Sequence, residues 1–167
     1  MIPAPIPEGD GQRLAALYKL LILDTPPHER FDKIVAFAAY EFEAPIVLIS
    51  LIDSNRQWFK SKLGIAACET TRDISFCGHA IMQSDIMVIA DAATDPRFSD
   101  NPLVIGAPFI RFYAGAPLTL KSGHAVGTLC IIDTAPREFD DTSLAILLSL
   151  RDLVVQELES PDGGSGG

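Results

Sequence analysis

Two adjoining stretches, RFYAGAPL at Arg111 to Leu118 and GTLCIID at Gly127 to Asp133, constrain this chain more than any other part of it. They read as the two strands of one hairpin. In the first, Phe112, Ala114, Ala116 and Leu118 alternate with Arg111, Tyr113, Gly115 and Pro117, so one face is wholly apolar and the other mixes polar, aromatic and very small residues. The apolar face packs; the mixed face leaves room above it. Strand parity places Arg111, Tyr113 and Gly115 together, with Gly115 open to close approach by a ligand or a short helix. Arg111 is the natural anion anchor there, because a guanidinium can hold a carboxylate or phosphate through two parallel hydrogen bonds. The competing reading pairs Arg111 with Asp91 or Asp95 of a covering loop.

Upstream, apolar periodicity predicts two helices. Gln12 to Leu23 carries Leu14, Leu17, Leu20 and Leu21 at helical spacing before Pro26 and Pro27, and His28 to Phe42 carries Phe31, Ile34, Val35, Ala38 and Phe42 before Pro45. The period then changes. Ile46 to Ile52 is a continuous apolar run, which predicts a strand buried on both faces, a turn at Asp53-Ser54-Asn55, and a partner strand from Arg56 to Leu63. A short helix fits Phe76 to Met82 with Ser75 as its N-cap, and a short strand fits Met87 to Ala90. Asp91 to Pro108 is mostly loop, with a short helix near Leu103, and a last helix runs from Thr142 to Glu159. That order predicts an α+β domain over residues 12–159 with an antiparallel sheet at its centre. Residues 1–11, rich in Pro and Gly, are expected to be a disordered tail, and residues 160–167, ending GGSGG, a flexible linker or added tail.

Composition narrows the function. A chain of 167 residues suits one domain, and no apolar run approaches the ~18 residues that cross a bilayer. Residues 1–10 lack the basic start and apolar stretch of a signal peptide, so a cytoplasmic location and no membrane association are expected. A formal charge of −9 with no Lys/Arg cluster argues against a nucleic-acid partner. Three cysteines without a C-x-x-C pair indicate neither a zinc site nor a disulfide framework, and no metal or cofactor is expected. In the last helix Leu144, Ile146, Leu147, Leu150, Leu153, Val154, Val155 and Leu158 span roughly two-thirds of the circumference, more than one sheet contact needs. Either the Gln12 to Leu23 helix covers the excess, or the terminal helices build a homodimer.

With SFCGHAI at Ser75 to Ile81 and DAATDPRF at Asp91 to Phe98, the hairpin resembles the GAF family of small sensory domains in bacterial signalling proteins, over Leu14 to Leu158. The resemblance implies a sheet of five to six strands, terminal helices on one face, and short helices and loops forming a pocket on the other. It implies a non-catalytic input module of the histidine kinase or diguanylate cyclase type, as in two-component or cyclic di-GMP signalling. Occupancy of a small-molecule pocket by Cys77, His79, Phe98, Arg111, Tyr113 and Gly115 would alter terminal-helix packing and so a downstream effector domain. Cys77 and His79 are two apart on a helix and do not face one another, which disfavours a Cys–His catalytic pair. The adjacent Cys-His of bilin-binding relatives is absent, haem would rest on His79 alone, and the cyclic-nucleotide motif is missing. The enzyme alternative is the free methionine sulfoxide reductase branch. Cys68 and Cys77 are spaced like two of its cysteines, but Pro108, Phe109 and Ile110 stand where its third is expected, and mid-strand Cys130 is a packing residue. A redox role for Cys68 and Cys77 is one further alternative; a structural dimerisation module with a collapsed pocket is the other.

Overall fold

The computed structural model describes residues 1–160 of the chain, and the GGSGG tail lies outside the described residues. Six strands form one sheet: β1 Ile46–Ile52, β2 Arg56–Leu63, β3 Glu69–Thr71, β4 Met87–Ile89, β5 Phe112–Thr119 and β6 Ala125–Asp133. Their order is β3-β2-β1-β6-β5-β4, with every neighbouring pair antiparallel. The expected α+β class, central antiparallel sheet and β5–β6 hairpin are all present. The edge strand β3 is an addition, too short and too polar (Glu69, Thr70, Thr71) to carry a pattern.

Alternation along β1 builds two cores. Val47, Ile49 and Leu51 join Phe112, Ala114 and Ala116 under the long helices, whereas Ile46, Leu48 and Ile52 face the opposite way with Phe59, Tyr113 and Cys130. The first core is closed by α1 Asp10–Lys19, α2 Glu29–Phe42 and α5 Asp141–Glu159. The second is closed by α3 Phe76–Ala80, a single 3-10 turn at Ala92–Thr94 and α4 Pro102–Ile105. Side chains start these helices: the His28 ring accepts the Arg30 amide for α2, and the Asp140 carboxylate accepts the Ser143 amide for α5.

The apolar breadth of α5 divides between two neighbours. Leu147, Leu150, Val154 and Leu158 are buried toward the sheet, with Val154 at 0% exposure, while Leu153 remains 48% exposed. The helix beside α5 is α2, with Arg30 and Glu157 3.3 Å apart, and not the Gln12 to Leu23 segment. That segment is helical only to Lys19. It packs on the first core through Leu17 and is fixed further by polar contacts: Asp10 binds buried Arg13 at 2.7 Å and buried Arg72 at 2.9 Å, and Arg13 reaches the Ile52 carbonyl. The bond from Arg72, foremost, holds the Asp10 carboxyl below its ordinary value.

Residues 1–9 differ from the expected disordered tail. The Ile2 amide donates to the Arg97 carbonyl, the Ala4 amide to the Asp73 carbonyl, and Ala4 is buried against α3. The physical reason lies in α3 itself. A Cβ at Gly78 would lie 2.7 Å from the Ala4 methyl, so a glycine there admits the strap.

Gly127 is the tightest point of the sheet. Opposite Leu51 in the β1–β6 register, it would place a Cβ 1.9 Å from the Ser50 carbonyl oxygen. Gly127→Ala is expected to lower stability by roughly 1–3 kcal/mol in urea unfolding, because backbone must give way. Gly11→Ala, in α1 with no atom within 4 Å among the described residues, should instead be neutral or stabilising by up to about 1 kcal/mol.

Candidate functional site

The second core is organised around one sulfur. Ser75 Oγ accepts the Gly78 amide and donates to the Arg72 carbonyl, which starts α3 and sets Cys77 in its first turn above the sheet. Beneath it, Ser50 of β1 and Thr128 of β6 lie directly opposite one another in register. Cys77 Sγ receives Ser50 Oγ at 2.9 Å, Thr128 Oγ1 at 2.9 Å and the Tyr113 hydroxyl at 3.2 Å, and Cys130 Sγ is 3.8 Å away. Each hydroxyl owns one proton. When all three are given to the sulfur, Ser50 and Thr128, 3.2 Å apart, have none left for each other. Such an acceptor suits a thiolate. Burial opposes the charge, yet the hydrogen bonds of Cys130, Ser50, Thr128 and Tyr113 outweigh it and bring the Cys77 thiol down to about 7. Burial, foremost, pushes the Tyr113 phenol and the Cys130 thiol up, so both keep their protons.

The residues expected to surround a pocket come together largely as packing. Tyr113 is fully buried and its ring folds back over Gly115, where a Cβ would lie 2.2 Å from the tyrosine hydroxyl. The room at Gly115 is therefore filled by Tyr113. Phe76 stacks on Phe98 at 4.2 Å and tilts against Tyr113 at 5.3 Å, and His79 meets Phe98 edge-on at 4.8 Å. His79 Nε2 is hydrogen-bonded to the Ile2 carbonyl at 3.0 Å, and burial, foremost, draws its pKa below the usual 6.5. Arg111 follows neither expectation in full. It does not pair with Asp91 or Asp95, because Asp91 caps the Ala93 amide and Asp95 holds Arg97 at 2.9 Å. Its guanidinium donates to the Val104 and Ile110 carbonyls, both at 3.0 Å, and so pins the segment that carries α4.

What remains is a cavity of about 20 Å³ lined by Gln57, Thr70, Phe76, Cys77, Leu103 and Tyr113 among others. That is room for about one water molecule. Gln57 Nε2 donates to Thr70 Oγ1 at 3.0 Å, while the buried Gln57 Oε1 has no partner among the described residues. Ser50, Gln57, Thr128 and the contact made by Cys130 escape sequence reasoning. A signal was present, since Ser50 interrupts the apolar run IVLISLI and Thr128 interrupts GTLCII, and polar residues buried within strands need partners. Cys68 is exposed, 3.8 Å from Lys62 Nζ, and lines a different hollow beside Trp58. The sulfur neighbouring Cys77 is Cys130, not Cys68.

A six-stranded sheet with long helices on one face and a lid of short helices on the other is matched by the GAF domain family profile over residues 26–158. This chain belongs to the GAF family. Over 137 residues it is 45% identical to a cyclic di-GMP phosphodiesterase of Pseudomonas aeruginosa, a match covering 82% of this chain and 23% of that protein. The chain thus spans less than a quarter of that relative's length. In structure it is similar to the GAF domain of an Acinetobacter phosphoenolpyruvate-protein phosphotransferase, with a TM-score of 0.65 and 15% identity over 96% of this chain and 98% of that one. A type II free methionine-R-sulfoxide reductase from Thermoplasma acidophilum gives a TM-score of 0.64 at 15% identity, over 78% and 90% of the two chains. These two likenesses establish the shared fold. In the GAF domain described here, no helix among the described residues is long and apolar enough to cross a membrane.

The Cys77 cage makes stability depend on pH. The folded thiol ionises near 7 and the unfolded one near its ordinary 9.0, so between these values the unfolded chain holds the extra proton and stability rises with pH. The contribution is complete above 9.0 and is lost as pH falls through about 7. Denaturant titrations across this window should show a rise that Cys77→Ser lacks; equal slopes for the two proteins would refute the thiolate assignment.

Proposed function

We propose that this GAF domain is a non-catalytic, cytoplasmic regulatory module of a bacterial signalling protein of the cyclic di-GMP phosphodiesterase kind. It would pass the state of its lid to an effector domain through the terminal helices. The observation that carries this reading is the 45% identity to a cyclic di-GMP phosphodiesterase confined to 23% of its length, which leaves most of that protein for other domains. A reductase role is not favoured, since Pro108, Phe109 and Ile110 lead into β5 where the third reductase cysteine is expected. Purified protein should therefore give no turnover of free methionine sulfoxide with thioredoxin as reductant.

The small molecule that this module senses must displace Tyr113, Phe76 or Phe98, because a space for one water holds nothing larger. Moving the 91–110 segment would do so and would free Arg111 from the Val104 and Ile110 carbonyls for an anionic or amphipathic metabolite. Native mass spectrometry of freshly purified protein would show such a molecule directly. When it binds, hydrogen exchange should slow across residues 91–108, and Arg111→Ala should weaken binding by roughly 1.5–3 kcal/mol. A lid whose exchange no compound alters would favour a purely structural role.

The surface for pairing lies on the helix layer. Leu148 and Leu153 of α5 are exposed, as are Phe37 and Tyr40 of α2, so a homodimer would form through these helices. Light scattering should report twice the 18.0 kDa chain mass, and Leu153→Glu should shift it to one. A wild-type monomer at tens of micromolar would end the dimer proposal.

A further inference from the structure

Cys77 and Cys130 stand apart from the regulatory reading: two buried thiols whose sulfurs are 3.8 Å apart, on α3 and on β6, both free, as is exposed Cys68. We propose that they form an internal redox couple, in which hydrogen peroxide or a small hydroperoxide oxidises Cys77 and Cys130 closes a disulfide between α3 and β6. The geometry divides the roles. Cys77 Sγ is the common acceptor of the Ser50, Thr128 and Tyr113 hydroxyls, which stabilise a thiolate, the form that attacks peroxide. Cys130 has no such set and stays a protonated neighbour within reach of the oxidised sulfur.

In the first step Cys77 Sγ attacks one peroxide oxygen, the O–O bond breaks, and an S–O bond forms. The departing oxygen leaves as water, or as an alcohol from an organic hydroperoxide, carrying the proton that the thiol gave up. In the second step Cys130 Sγ attacks the sulfenic sulfur. The S–S bond forms, the S–O bond breaks, and the hydroxide leaves as water with the Cys130 proton. Two thiols and one hydrogen peroxide give one disulfide and two waters, each sulfur losing one electron and each peroxide oxygen gaining one. The cavity beside Cys77, about 20 Å³ and lined also by Gln57 and Thr70, is where the oxidant would meet the sulfur once the lid opens. Gln57 Oε1, without a partner among the described residues, is a ready acceptor for a peroxide O–H there. Bond formation brings the sulfurs from 3.8 Å to about 2 Å, which draws α3 toward β6 and takes the acceptor from the Tyr113 hydroxyl. Oxidation would thereby alter the packing beneath the lid without any ligand.

The test uses the reduced 167-residue chain treated with hydrogen peroxide and then alkylated in denaturant. Before alkylation the intact mass should fall by about 2 Da, the loss of two hydrogens; after it one adduct, on Cys68, should be found instead of three, and peptide mapping should place the cross-link between Cys77 and Cys130. Dithiothreitol should reverse it. Cys68→Ser should behave as wild type, and Cys130→Ser should stop at a Cys77 sulfenic acid that dimedone traps. The wild-type mapping does not depend on any variant folding. Recovery of Cys77 and Cys130 as free thiols, oxidation confined to Cys68, or a Cys77 sulfenic acid that persists in the wild type would each overturn the couple.

Discussion

Three hydroxyls that face one buried sulfur set the terms on which the inner side of this sheet is built. Ser50 and Thr128 sit in the two central strands, where an unsatisfied hydroxyl costs about 1–3 kcal/mol, and Tyr113 brings a third into the same space. Cys77 satisfies all of them at once. Because the sulfur hangs from α3, the contact also fixes the height of that short helix above β1, β5 and β6. A five-residue helix has little stability of its own, so its position is determined from below by these bonds and from above by the Ile2 and Ala4 strap.

The two faces of the sheet are held by different physics. On the helix side, Leu147, Leu150, Val154 and Leu158 meet Phe31, Val35 and the β5 residues Phe112 and Ala114 in a dry aliphatic and aromatic layer. On the lid side, apolar packing is supplemented by single hydrogen bonds to backbone carbonyls, from Arg111 to Val104 and Ile110 and from Asn101 to Ile74. Interfaces of the second kind open at lower free energy than a packed core.

Much of the frame was legible in the residues. Alternation in β5, the apolar run of β1 and the periodicity of α2 and α5 each specify an element and its buried face, because side-chain direction follows from backbone period alone. What lies beyond period was not legible. Parity puts Tyr113 and Gly115 on one face, but not that the ring lies back over the glycine. The partners of Cys77 are 27, 36, 51 and 53 residues distant, and nothing local announces which of them the fold will bring to it. The same holds for Arg111, whose carbonyl partners depend on loop geometry, and for residues 1–9, whose Pro-rich composition suggested a tail while their backbone groups found partners on the lid.

Tyr113 over Gly115 has a wider consequence for how a sheet of this kind acquires or loses an interior. On the lid face the floor at this point is Gly115, since Ala114 and Ala116 face the helices, and the volume above Gly115 is claimed by one side chain reaching across from its own strand. A smaller residue at position 113 would vacate that volume with no strand shifted and no register changed, opening a space bounded by Phe76 and its stacking partner Phe98.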